Sequence, residues 1–136
     1  DTHWNHFYRL KDRLLPGFDL GFSALIRDLE ARGMLDDTLV VWMSEHGRTP
    51  KFNKNAGRDH WRHCFSVALA GGGVRGGTHY GATDEIGMKA VENRASVHDL
   101  HATVLHLLGL DSRRLEIPGR KRLDVDYGRP ITEIMT

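Results

Sequence analysis

The sequence predicts an α/β fold, with a central, mainly parallel sheet flanked by helices. Three observations predict it. Leu39–Met43 is a continuous apolar run with two adjacent valines. It is too short for a helix and lacks polar alternation, the pattern of a strand covered on both faces. The run ends abruptly in Ser44-Glu45-His46-Gly47, and open α/β sheets bind ligands just beyond the carboxyl ends of their strands. Finally, an amphipathic segment at residues 18–32 enters the run through a short connection, as a helix packed on its own sheet does.

The remaining elements follow in order. Residues 1–6, Asp-Thr-His-Trp-Asn-His, combine one carboxylate with two imidazoles, which reads equally as a solvated terminus or as ligands. Leu10, Leu14 and Leu15 fall at helical spacing before Pro16-Gly17, where proline starts or kinks a helix. Phe18, Phe22, Leu25, Ile26 and Leu29 form one stripe, and Gly33 stands where a left-handed residue ends a helix. Strands are expected near 39–44 and 65–70, side by side, with Gly71-Gly72-Gly73 closing the second. Val74–Gly87 is a long glycine-rich connection without the spacing of a nucleotide loop. Ser96 with Asp99 reads as a capping box for a helix over 97–108, ended by Gly109. His98, His101 and His106 on that helix read as surface or packing residues. Beyond Asp111 the chain is charged, with Arg113, Arg114, Arg120, Lys121 and Arg122 read as a solvated face.

Composition narrows the function. The 136 residues carry a formal net charge of +1, which disfavours a dedicated nucleic-acid binder. No apolar run approaches the roughly 18 residues of a membrane span. Cys64 is the single cysteine and has no internal partner. The start at Asp1, without Met and inside a polar cluster, reads as the start of a fragment.

The chemistry concentrates in one loop system. Glu45-His46 follows the first strand, and Asp59-His60 follows about a dozen residues later. Two acid-plus-imidazole pairs suit a hard or borderline divalent metal. Zinc or manganese fits a mixed carboxylate–imidazole set best, with calcium and magnesium as alternatives.

Glu45-His46-Gly47-Arg48-Thr49-Pro50, with Gly57-Arg58-Asp59-His60-Trp61 and the preceding Asp1-Thr2-His3, resembles the carboxyl-terminal part of the DUF1501 family. Gly71–Gly73, Gly81–Asp84 and Val97–Thr103 fit the same pattern. That family is a sulfatase-like branch of the alkaline-phosphatase superfamily. The resemblance implies a partial alkaline-phosphatase-like sandwich over residues 1–136, the carboxyl-terminal part of one domain. It also implies divalent metals at the strand ends and an exported, periplasmic location. Ser44-Glu45-His46-Gly47 is similar to the Ser-Asp-His-Gly of sulfatases, with Glu45 in place of Asp. Asp1 with His3 resembles the upstream Asp-plus-His ligand pair, and His60 the later histidine. The implied metal set is therefore Asp1, His3, Glu45, His46, Asp59 and His60.

The expected function is metal-dependent hydrolysis of a phosphate or sulfate ester, on a small-molecule or polymeric anionic substrate clamped by Arg48 and Arg58. No catalytic nucleophile is assigned: Ser44 qualifies by proximity alone, and the resemblance places the nucleophile upstream of Asp1. The competing reading is a catalytically inactive binding domain that keeps the fold and an anion- or metal-holding pocket.

Overall fold

The computed structural model describes residues 2–114, 116, 118–119 and 128–136. Asp1, Arg120, Lys121 and Arg122, singled out above, lie outside the described residues.

The chain opens with a helical stretch in three parts. Helix α1 (His6–Arg9) runs into a π-type turn (Leu10–Leu14) and then helix α2 (Leu15–Ala31). Pro16 explains the widened turn. It lacks the N–H that would bond four residues back, and its ring crowds that carbonyl, so the preceding turn takes one extra residue rather than breaking. Gly33 ends α2 as expected, at φ 66°. Its N–H donates to Glu30 O at 2.9 Å, and that of Met34 to Leu29 O at 2.8 Å, the paired bonds of a Schellman motif.

The expected central parallel sheet is not what forms. Among the described residues, six short strands pair as three separate two-stranded antiparallel sheets: β1 (Val40–Trp42) with β4 (Ala68–Ala70), β2 (Gly47–Arg48) with β3 (His60–Trp61), and β5 (Ala82–Thr83) with β6 (Ala90–Glu92). The two expected strands do lie side by side, with Val40 opposite Ala70 and Trp42 opposite Ala68, but they run in opposite directions. The reason is the connection. A parallel pair needs a crossover, usually a helix. Here the intervening residues fold into the β2–β3 hairpin and bring the chain back antiparallel. Nor is the apolar run covered on both faces: Val40 and Val41 are half-buried, whereas Trp42 is 46% and Met43 40% exposed. Gly71 is required where β4 ends: at φ 72°, a Cβ there would stand 2.3 Å from Leu35 O.

Helix α3 (Val97–Leu107) begins at the expected capping box. Ser96 Oγ accepts from Asp99 N at 3.2 Å, and the Asp99 carboxylate accepts from Ser96 N at 2.7 Å. A second Schellman motif at Gly109 ends it, with Leu110 N donating to Leu105 O at 2.8 Å. The best-buried cluster sits between α3 and the carboxyl-terminal segment: Leu100, Ala102, Thr103 and Ile134. Thr103 is fully buried and joins the two, since its hydroxyl donates to Asp99 O at 2.7 Å and accepts from Ile131 N at 2.9 Å. A short 3₁₀ turn (Thr132–Ile134) and a bridge between Val74 and Met135 complete this layer.

The stripe of α2 is only partly covered. Phe22, Ile26 and Leu29 are half-buried, while Phe18 and Leu25 remain exposed. Phe18 meets Trp42 with ring centroids 5.4 Å apart. No helix among the described residues is long and apolar enough to cross a membrane.

Candidate functional site

The site is built on the β2–β3 hairpin and on the amino-terminal segment laid across it. Gly47 pairs with Trp61 and Arg48 with His60. Just past the pair, Thr49 N donates to Asp59 O at 2.9 Å and Asp59 N to Thr49 Oγ1 at 3.1 Å. His46 and His60 are thereby held at adjacent positions, and their rings stack with centroids 3.7 Å apart.

The amino-terminal segment is strapped to the hairpin loop by backbone bonds: Arg58 N to Thr2 O, Asn5 N to Asn55 O and His6 N to Ala56 O, each 3.0 Å. Gly57 permits this approach, since a Cβ there would lie 1.9 Å from His3 O. Asn53 is the hub. Its Nδ2 donates to His3 O and to Asp59 Oδ1, both at 2.9 Å. Its Oδ1 accepts from Asn55 N at 2.9 Å and Gly57 N at 3.0 Å.

The strap carries His3 onto the hairpin. His3 Nδ1 lies 3.1 Å from Asp59 Oδ1, and His3 Nε2 lies 3.1 Å from His60 Nε2. His46 Nδ1 lies 3.0 Å from Gly47 O, and His46 Nε2 lies 3.1 Å from Glu45 Oε1. Thus His3, Glu45, His46, Asp59 and His60 come together.

Their protonation follows from what they face. Hydrogen bonds from Asn53 and His3 hold Asp59 below the usual carboxylate range. Glu45 is lowered by its own backbone N–H and by His46. Both are therefore acceptors only at neutral pH. Desolvation, followed by positive charge at His46, His3 and Arg48, lowers the pKa of His60 and favours its neutral ring. A carbonyl and a carboxylate can only accept, so His46 and His3 each place a proton on Nδ1. In the neutral rings this leaves the Nε2 lone pairs aimed at His60 Nε2 and at the Glu45 carboxylate. Lone pairs so opposed need a proton or a metal cation between them.

The donor chemistry fits a divalent metal. Two imidazole nitrogens at ~2.0–2.1 Å from one cation stand roughly 2.9–3.4 Å apart at angles of 90–110°, and the His3–His60 separation is 3.1 Å. The Asp59–His3 bond is the carboxylate–histidine pairing that orients metal-binding rings. No group of three or more His, Cys, Asp or Glu among the described residues is already arranged to hold a metal ion. The fit is thus to a two-histidine pair with carboxylates beside it.

A family model described as "Protein of unknown function (DUF1501)" matches residues 1–135. The chain belongs to the DUF1501 family. No curated protein and no solved structure matches it.

In this DUF1501 chain the two arginines differ in their contacts. Arg58 stacks on Phe52, its guanidinium carbon 4.8 Å from the ring centroid, and donates to Thr49 O at 3.1 Å. Arg48 donates to Arg58 O at 3.1 Å and lies near enough to His60 to lower its pKa. Ser44 Oγ donates to Glu45 Oε2 at 3.3 Å. Asn53 and Thr49 carry the site without having been singled out in the sequence. The available signal was Asn53-x-Asn55-x-Gly57, whose side-chain amide and glycine are turn chemistry.

Proposed function

We propose that this chain carries the metal-binding arm of a sulfatase-like hydrolase of phosphate or sulfate esters. The observation that supports it most is the facing Nε2 atoms of His3 and His60, with His3 oriented by Asp59. His3 and His60 would hold a zinc or manganese ion, with Glu45 and His46 beside them to complete the set. Such a cation supplies Lewis acidity toward an ester oxygen. Asp59 fixes the tautomer of His3, and Asn53 fixes Asp59. Arg48 supplies positive charge next to His60 for an anionic ester. Arg58, stacked on Phe52, positions the loop.

The alternative, a binding domain without catalysis, draws on one observation: Glu45 stands where sulfatases carry Asp. Ester turnover by the protein, with and without chelator, separates the two. The hydrolase reading expects chelation to abolish turnover. It also expects His46→Ala and His60→Ala each to lower turnover far more than stability, because both side chains sit in the hairpin and not in the α3 core. Turnover indifferent to chelator, or unchanged in both variants, leaves the binding domain.

A further inference from the structure

A groove of about 500 Å³ opens beside the hairpin, between the turn after β3 and the start of α3. His63, Lys89, Arg94, Ser96 and Asp99 line it. Two bonds hold its walls in register: Trp61 Nε1 donates to Met88 O at 2.9 Å, and Cys64 Sγ to Gly87 O at 3.1 Å. Lys89 is thus carried on a segment tied to the residues that follow His60.

The charges in this groove are unevenly answered. Among the described residues, the side chains of Lys89 and Arg94 make no hydrogen bond or ion pair. The one carboxylate present, Asp99, is already satisfied: Oδ2 accepts from Ser96 N at 2.7 Å and from Ser96 Oγ at 2.8 Å, and Oδ1 accepts from Arg129 N at 2.8 Å. Its oxygens are engaged by the capping box and the carboxyl-terminal segment. The groove therefore presents an ammonium and a guanidinium against one carboxylate whose oxygens are already hydrogen-bonded, and His63 adds an imidazole edge. A guanidinium and an ammonium lining one groove are a donor set suited to a tetrahedral oxyanion.

We propose that this groove is a second anion site, taking one phosphate or sulfate group through Lys89 and Arg94, independently of any metal. His63 follows His60 by three residues, so their Cα atoms lie no more than about 11 Å apart along the chain. Where the hydrolase reading of the histidine cluster holds, and this step rests on it, the substrate class is an ester bearing at least two anionic groups, one at the cluster and one in the groove.

The test is an NMR titration of the metal-free chain, in chelator, with sodium sulfate and separately with sodium phosphate at constant ionic strength. Sodium chloride is the control. The expected result is saturable shifts at the Lys89, Arg94 and Ser96 amides. Affinity should fall at least tenfold in Lys89→Gln/Arg94→Gln, persist in Lys89→Arg/Arg94→Lys and stay unchanged in His60→Ala. Both positions are exposed, and the single Arg94→Gln variant, expected to weaken binding in the same sense, serves if the double variant unfolds. Preference between the arms tells sulfate from phosphate. Shifts equal to those of chloride, shifts centred on His3, His46 and His60, or binding indifferent to the charge-removing substitutions would overturn the site. Because no metal is present, failure of the hydrolase reading leaves the result unaffected.

Discussion

Replacing Asn53 by alanine should loosen the site without touching a proposed ligand. The side chain makes four hydrogen bonds: two to the loop backbone, one to His3 O and one to Asp59 Oδ1. At a net 0.5–1.5 kcal/mol each, their sum is roughly 2–6 kcal/mol. Asn53 is only half-buried, so water replaces part of what is lost and the expected destabilisation is near the lower bound, about 2 kcal/mol. Because Asp59 then loses its amide and His3 its tether, zinc affinity should fall as well, by about 10–100-fold as for other supporting partners of metal ligands. Asn53→Asp separates the two effects. It keeps the oxygen that accepts from Asn55 N and Gly57 N but removes the donors to His3 and Asp59, so the turn should survive while zinc affinity still falls. Urea unfolding measures the first quantity and calorimetric zinc titration the second. A loss under 0.5 kcal/mol with unchanged zinc affinity in Asn53→Ala would refute the hub.

Three further outcomes are expected. Thr103→Val is nearly isosteric but strands the half-buried Ile131 N–H, so it should cost about 1 kcal/mol in urea unfolding, against nothing if the hydroxyl were idle. Gly57→Ala should detach the amino-terminal strap, because the new methyl would collide with the His3 carbonyl; amide exchange at Asn5 and His6 should accelerate while α3 stays protected. His6 is buried, and desolvation followed by the charges of Arg58 and Arg48 lowers its pKa from 6.5. The unfolded chain then binds the proton more readily, so this contribution to stability is complete above about pH 6.5 and is lost as pH falls through the lowered native value. The drop in urea midpoint between pH 7.5 and pH 5 should shrink in His6→Phe; an identical drop would remove His6 from the acid response.

The helices were legible because their signals are local. The stripe from Phe18 to Leu29, the Ser96–Asp99 box and the glycines at 33 and 109 each specify a start, a face or an end within a few residues. The strand pair was legible as a pair, but its direction was not. Nothing local in Leu39–Met43 tells whether the chain returns by a crossover or by a nested hairpin, and a continuous apolar run looks the same whether or not its far face is covered. The acid–imidazole pairs stand out in the sequence by residue type, and the hairpin brings His3, His46 and His60 together. Their support was not legible. One of the Asn53 contacts reaches fifty residues away in sequence, and the guanidinium of Arg58 lies over Phe52.

The central claim is that His3 and His60 share a cation. Zinc K-edge X-ray absorption on the zinc-loaded chain tests it most directly, with His3→Ala and His60→Ala alongside. The account predicts one tightly held zinc with at least two imidazole nitrogens at about 2.0–2.1 Å, and the loss of one imidazole shell in either variant. A zinc surrounded only by oxygen, or the same spectrum in the wild type and both variants, would contradict it.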